Sequence, residues 1–206
     1  LTREKYTRDL LSFREALSQR RTALNTAGAI VQLQFNIPGI PKCLPGLSTL
    51  FGTLCAEVAG AFKRQGVVWG LGYLHYYPQH TAIFSTDGPP EALKRCMVKT
   101  ECSHALGSIV DIDVYEPSGK ALGRRHLGMP ERTCLLCDRP AKSCAAMQAH
   151  GYPELREAIC CMIEGFETGS EHALVSKQVW HQAGAGGLRE TCVAMEPKDA
   201  SGRQLD

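Results

Sequence analysis

No stretch of this sequence approaches the ~18 consecutive apolar residues that mark a membrane-spanning helix. Charge of one sign is also missing. Lys+Arg 23 against Asp+Glu 21 leaves a net +2 at pH 7, a balance that does not call for a nucleic-acid partner. Neither an internal repeat nor a long low-complexity tract is present. Cysteine falls short of a disulfide scaffold: Cys 10 in 206 residues lies below the ~8–10% of such chains. What is there is ordinary for a globular protein. Hydrophobic residues at 44% and charged residues at 21% exclude wholesale disorder, and the length is within reach of one domain.

Along the chain, Tyr6, Leu10, Phe13 and Leu17 recur at helical spacing and predict an amphipathic opening helix. It stops before the turn-like Asn25-Thr26-Ala27-Gly28, and Ala29 to Phe35 reads as a half-buried strand. Proline and glycine pairs from Ile37 to Gly46 mark a loop. A second helix, capped by Ser48 or Thr49, runs to Gln65 with Phe51, Leu54, Val58 and Phe62 as its buried stripe. Strands are expected over 67–77 and 81–85, a short helix over 91–96, and strands over 97–103 and 110–115. Pro117 to Lys120 makes a hairpin turn, and the chain returns as a strand through Ala121 to His126. Pro153 opens a last helix bearing Leu155, Ile159, Met162 and Phe166. The pattern fades after Gly169 into a tail, residues 169–206. The expected fold is α+β, a single domain over 1–168 with a mixed or antiparallel sheet flanked by helices.

The densest polar cluster runs from Ser103 to Tyr115. Side chains alternate along a strand, so Asp111 and Asp113 share one face while Ile112 and Val114 share the other. Two carboxylates so placed can share a hard cation such as Mg²⁺, which takes oxygen ligands from one or two carboxylates and from substrate phosphates. Upstream, Gly107 and Ser108 offer backbone N–H groups and a hydroxyl to an anion, and His104 is a candidate phosphate contact. Arg124 and Arg125, read on the returning strand, would neutralise phosphate oxygens. The competing reading is an exposed Asp-x-Asp with arginines as cross-strand ion-pair partners.

Cys134, Cys137, Cys144 and His150 read C-x2-C-x6-C-x5-H. A C-x-x-C knuckle closed by a third cysteine and a histidine suits a structural zinc with no open position. Read on one helix, Cys144 and His150 share a face only roughly. The alternatives are a thiol redox pair or buried free cysteines. Metal-type rather than disulfide-type spacing points to a reducing, cytoplasmic compartment. The chain starts at Leu1 rather than Met, so a missing signal peptide carries little weight. The other cysteines, Cys192 among them, read as buried residues without a role.

The run Ser103-His104-Ala105-Leu106-Gly107, then Asp111-Ile112-Asp113-Val114, then Gly123-Arg124-Arg125 and Arg132-Thr133-Cys134-Leu135-Leu136-Cys137, resembles one family. It is similar to the citrate lyase holo-[acyl-carrier-protein] synthases, the CitX family, whose pattern reads H-P-L-G-R-x-W-D-I-D-V followed by R-R and R-x-C-L-L-C. The likeness is specific over residues 99–150 and extends at low stringency over most of the chain. Ala105, Ser108 and Val110 depart from the family's proline, arginine and tryptophan, and the change to Ser108 removes a phosphate contact.

The resemblance implies transfer of the 2′-(5″-phosphoribosyl)-3′-dephospho-CoA group from its triphosphate precursor to a serine of the citrate lyase acyl-carrier subunit, with diphosphate leaving. Asp111 and Asp113 would hold Mg²⁺, and Arg124, Arg125 and Arg132 would offset charge, with neither nucleic acid nor membrane as partner. The cluster Arg124, Arg125, Arg132 and Arg139 would suit docking of an acidic carrier. Gly107-Ser108 ahead of the acids is also similar to polymerase-beta-like nucleotidyltransferases, whose spacing there is longer, and this second likeness implies a nucleotidyltransferase-like fold. Two other functions stay open at this point: the equivalent transferase for malonate decarboxylase, and a non-catalytic zinc-stabilised binding module.

Overall fold

The structure, a computed structural model, describes residues 2–24 and 27–168. Asn25-Thr26 of the expected turn, the tail 169–206 and Cys192 lie outside the described residues. Helix α1 (Arg3–Ala23) buries Tyr6, Leu10, Phe13 and Leu17, the stripe that its spacing predicts. Helix α2 (Leu47–Arg64) starts one residue before the expected caps. Gly46, not Ser48 or Thr49, takes the N-cap, at φ 80°, a conformation costly for a residue with a Cβ.

Five strands form one sheet in the order β2-β3-β1-β4-β5: β1 (Ile30–Phe35), β2 (Trp69–His75), β3 (Thr81–Thr86), β4 (Val110–Tyr115) and β5 (Ala121–Leu122). Every pairing is antiparallel, so the α+β fold holds with the antiparallel form of the sheet. The main core joins Val31, Leu33, Phe35, Phe84, Ile112 and Val114 to side chains of α2 and α5 (Tyr152–Thr168). On the opposite face, Phe13 and Leu17 of α1 cover Ile30 and Ile83. Strand β1 is therefore buried on both sides, not half-buried as its Leu/Gln/Phe alternation predicts.

Two further expectations fail. Residues 97–103 are not a strand but the second half of helix α3 (Pro90–Ser103). Leu93, Lys94, Met97, Val98 and Glu101 are its buried residues, a helical i, i+3, i+4, i+7 series. Two of its five members are charged, which hides the stripe from a reading based on apolar residues. The return from the hairpin also stops early. Only Ala121–Leu122 pairs with β4, and Arg124–Leu127 is a 3-10 turn rather than strand.

Candidate active site and metal centre

Because β5 is so short, it pairs only with Val114 and Tyr115. The outer edge of β4 at Val110 and Ile112 would be left without partners, and buried backbone groups must find them. Three charged side chains supply them. Arg132 Nη1 donates to the Val110 carbonyl at 2.6 Å, and Lys94 Nζ donates to the Ile112 carbonyl at 2.7 Å. The Ile112 N–H donates to Glu101 Oε1 at 2.8 Å.

Glu101 is the hub of this arrangement. The residue is only 3% exposed; its carboxylate pairs with Arg124 through Oε2 and lies 3.0 Å from Arg132 Nη2 through Oε1. Two guanidinium groups and a backbone N–H offset the cost of burying that charge. Sequence reasoning missed both Glu101 and Lys94: Glu101 fell outside the expected short helix, and Lys94, inside it, was one charged residue on a segment too short to show a buried stripe. The spacing of Lys94 and Glu101 with Leu93, Met97 and Val98 is the signal that could have found them.

Asp111 and Asp113 project from the face of β4 opposite the main core, as the alternation predicts. Asp111 is held from two sides, by Arg132 Nη2 at 3.3 Å on Oδ1 and by Gln34 Nε2 at 3.3 Å on Oδ2. Gln34 in turn accepts from Gln32 Nε2 at 3.1 Å, and Gln32 accepts from Arg21 Nη1 at 2.6 Å. Arg21 lies over the Tyr115 ring, 4.4 Å from its centroid, so the end of α1 reaches the same sheet face. These three residues carry no sequence motif; the register, which sets Gln32 opposite Asp113 and Gln34 opposite Asp111, brings in the glutamines, and the path of α1 across the sheet brings in Arg21.

The Asp113 carboxyl is pushed up to about 6, first by burial and then by the neighbouring Asp111 charge. A carboxyl pushed up by burial and by a neighbouring carboxylate marks a site short of positive charge, and a divalent cation would relieve it. The donor chemistry, carboxylate oxygens with Gln34 beside them, fits a hard cation such as Mg²⁺.

The remaining expected site residues divide. Arg124 and Arg132 join the Glu101 hub, whereas Arg125 is exposed on the 3-10 turn. His104 packs inside, its ring against Phe166 with centroids 5.4 Å apart. Its Nδ1 accepts from the Leu106 N–H at 2.9 Å, so the proton sits on Nε2, which faces Glu57 at 3.5 Å. The Gly107 N–H donates to the His104 carbonyl at 2.9 Å and is committed to that turn. A Cβ on Gly107 would meet the Glu101 carbonyl oxygen at 1.6 Å, so its close approach is to helix α3. Ser108 is exposed, with its hydroxyl 3.6 Å from Met162 Sδ.

Cys134, Cys137, Cys144 and His150 converge, with their ligand atoms all within 4.8 Å of one another. Cys137 Sγ is 3.4 Å from Cys144 Sγ and 3.4 Å from His150 Nε2. Donors around a tetrahedral zinc lie roughly 3.8 Å apart, so the cluster has the size and chemistry of a closed Cys3His shell. The mismatch expected of Cys144 and His150 on one helix does not arise. Helix α4 is short, Ala141–Ala146, and Gln148 at φ 48° turns the chain back so that His150 returns to the cysteines. Arg139 lowers the Cys137 thiol to about 6, and burial raises Cys144 to about 11. His150 Nδ1 faces Glu154 at 3.8 Å, the outer carboxylate that often orients a metal-binding imidazole. These four residues can hold a metal such as zinc.

Among the described residues no helix is long and apolar enough to cross a membrane. Comparison with known proteins bears directly on this segment. A family model described as apo-citrate lyase phosphoribosyl-dephospho-CoA transferase matches residues 6–166. Protein CitXG of Leuconostoc mesenteroides subsp. cremoris is 28% identical over 192 residues, 92% of this chain and 41% of its own length. The apo-citrate lyase phosphoribosyl-dephospho-CoA transferase of Citrobacter koseri is 41% identical over 73 residues, 35% of this chain and 40% of its own. A Streptococcus pyogenes serotype M18 protein named "Probable apo-citrate lyase phosphoribosyl-dephospho-CoA transferase" is 27% identical over 170 residues, 77% of this chain and 85% of its own. The match thus spans about two fifths of the length of the first two relatives. The family match over residues 6–166 takes in the acidic strand, the Glu101 hub and the cysteine knuckle together, and the chain belongs to the CitX family.

Proposed function

We propose that this chain transfers the phosphoribosyl-dephospho-CoA group from a triphosphate precursor to a serine of the citrate lyase acyl-carrier subunit. The observation that carries the reading is the half-buried Asp111–Asp113 pair on β4, short of positive charge and flanked by Arg132, inside the segment matched by the family. In this transfer the serine oxygen bonds to the phosphorus nearest the ribose. The bond from that phosphorus to the diphosphate breaks, and the serine proton leaves to a base. Catalysis of such a step is mostly positioning and charge stabilisation.

Asp111 and Asp113 would hold Mg²⁺, which when bound supplies positive charge to the phosphate oxygens. Arg132, already oriented by Glu101 and the Val110 carbonyl, presents its guanidinium beside Asp111 where a triphosphate would lie. Arg125, exposed on the adjacent turn, is placed to meet the outer phosphates or the carrier. Arg124 acts through Glu101. Of the segment before β4, Ser108 is the exposed side chain available to substrate, while His104 and Gly107 shape the turn. Cys134, Cys137, Cys144 and His150 would hold a structural zinc, since a closed shell leaves no position for substrate.

The test is transfer itself. Asp111→Asn and Asp113→Asn should each lower the rate of carrier labelling by about 100-fold or more, with the fold intact by circular dichroism. Wild-type rates in both variants would remove the acidic pair from the mechanism.

A further inference from the structure

The cysteine knuckle and the acidic strand are joined through one residue. Arg132 precedes Cys134 by two positions, and its backbone is pinned to the knuckle. The Ala141 N–H donates to the Arg132 carbonyl at 2.8 Å, and the Cys134 N–H donates to the Arg139 carbonyl at 2.8 Å. A bridge between Thr133 and Pro140 lies between these bonds. The far end of the same residue is the guanidinium that meets Val110, Glu101 and Asp111. Nothing regular supports the segment on either side: residues 128–140 contain no helix and no strand beyond that bridge. The ladder that fixes the Arg132 backbone is short, and its ends are tied by the cysteines: Cys134 and Cys137 on the hairpin, Cys144 on the helix that Ala141 opens.

We propose that a zinc ion in the Cys134–Cys137–Cys144–His150 shell sets the position of the Arg132 guanidinium against Asp111. The knuckle is then a positioning element of the acidic site and not only a stabiliser of the fold. This rests on the reading of the four residues as a zinc site and of Asp111 and Asp113 as a cation site. Without zinc, three thiols and an imidazole have no common centre, the hairpin and α4 separate, and the Ala141–Arg132 bond loses its geometry. Arg132 then leaves Asp111, and the carboxylate pair loses the positive charge that competes with a bound cation. The consequence runs against intuition: zinc loss should make the acidic pair bind a divalent cation more tightly while weakening what Arg132 does for a phosphate.

Two readouts on the full chain test this, neither of them activity. The first is the side-chain NH resonance of Arg132, assigned by its absence in Arg132→Met. It should be protected from solvent exchange in the zinc-loaded protein and lose that protection when zinc is removed by a chelator, with the core amides unchanged. The second is titration with Mn²⁺ alone as the probe. Zinc removal and Arg132→Met should each tighten Mn²⁺ binding by about fivefold, with no further gain when combined.

Should the zinc-free chain lose its fold, Ala141→Pro takes its place. Proline is tolerated at the first position of α4, and Pro140 at φ −55°, ψ 133° already has the backbone that precedes a proline. That variant deletes only the donor to Arg132, so it should keep one zinc per chain and show the same two changes. Purified protein without zinc, a protected Arg132 signal in both the zinc-free and Ala141→Pro proteins, or unaltered Mn²⁺ affinity in both while Arg132→Met tightens it, would overturn the proposal. No Mn²⁺ binding in any form would instead remove the cation site, and the Arg132 signal alone would then decide whether zinc positions that side chain.

Discussion

Glu101 is the residue on which the site turns, and it makes no contact that a motif would advertise. Its carboxylate satisfies Arg124, Arg132 and the Ile112 N–H at once. Glu101→Gln keeps the shape and can still accept from Ile112, but it leaves Arg124 without its counter-charge and Arg132 with Asp111 alone. Breaking a buried ion pair from one side costs about 3 kcal/mol. A urea titration should show that loss, and carrier labelling should fall with it; an unchanged midpoint would mean the arginines find other partners.

His80 makes a prediction of another kind. It is buried among Phe35, Phe51 and Tyr76, with Nε2 3.0 Å from Ser48 Oγ, and burial lowers it from 6.5 to about 4. The unfolded chain therefore binds this proton at a higher pH than the folded one. Stability from neutral His80 is complete above about pH 6.5 and declines as the pH falls towards 4, by on the order of 2–3 kcal/mol. His80→Gln cannot titrate. The difference in unfolding free energy between wild type and variant should shrink across that window, and the subtraction cancels the carboxylates common to both.

At the scale of elements, the short β5 explains the charged residues around β4. An edge left open over Val110–Ile112 is closed by side chains from α3 and from the segment after the 3-10 turn, and that closure draws Arg132 to Asp111. Gly107 allows it by letting the chain leave α3 against the Glu101 carbonyl. Gly107→Ala must displace the α3 terminus and should cost about 2–3 kcal/mol, seen as a lower denaturation midpoint. A midpoint equal to wild type would show that the turn has slack.

The same elements show what the sequence could and could not reveal. Apolar periodicity located α1, α2, β1, β4 and α5, because each buries an apolar stripe or face. It failed over residues 97–103, where β-branched and apolar neighbours mimic a strand and the helical stripe contains Lys94 and Glu101. It failed again after Leu122, where Arg124 is drawn to Glu101 rather than into a ladder. Asp111, Asp113 and the four knuckle residues were legible from local spacing alone. Arg21, Gln32 and Gln34 were not, because their place at the site depends on strand register and on α1 lying across the sheet.

Across the whole molecule, one sheet separates two tasks. Its inner face, packed by α2, α3 and α5, is apolar and holds the fold. Its outer face is split between the α1 contact and the polar chain that runs from Arg21 through Gln32 and Gln34 to Asp111 and Arg132. The near-neutral composition conceals a local arrangement, in which Glu101, Asp111, Arg124 and Arg132 pair with one another beside β4. The measurement that tests the account most directly is mass spectrometry of the citrate lyase carrier subunit after incubation with this chain, the triphosphate precursor and Mg²⁺. The account predicts a gain equal to one phosphoribosyl-dephospho-CoA group on a serine, absent without Mg²⁺ and absent with the Asp111→Asn/Asp113→Asn double variant. An unmodified carrier under full conditions, or one modified equally well by the double variant, would contradict it.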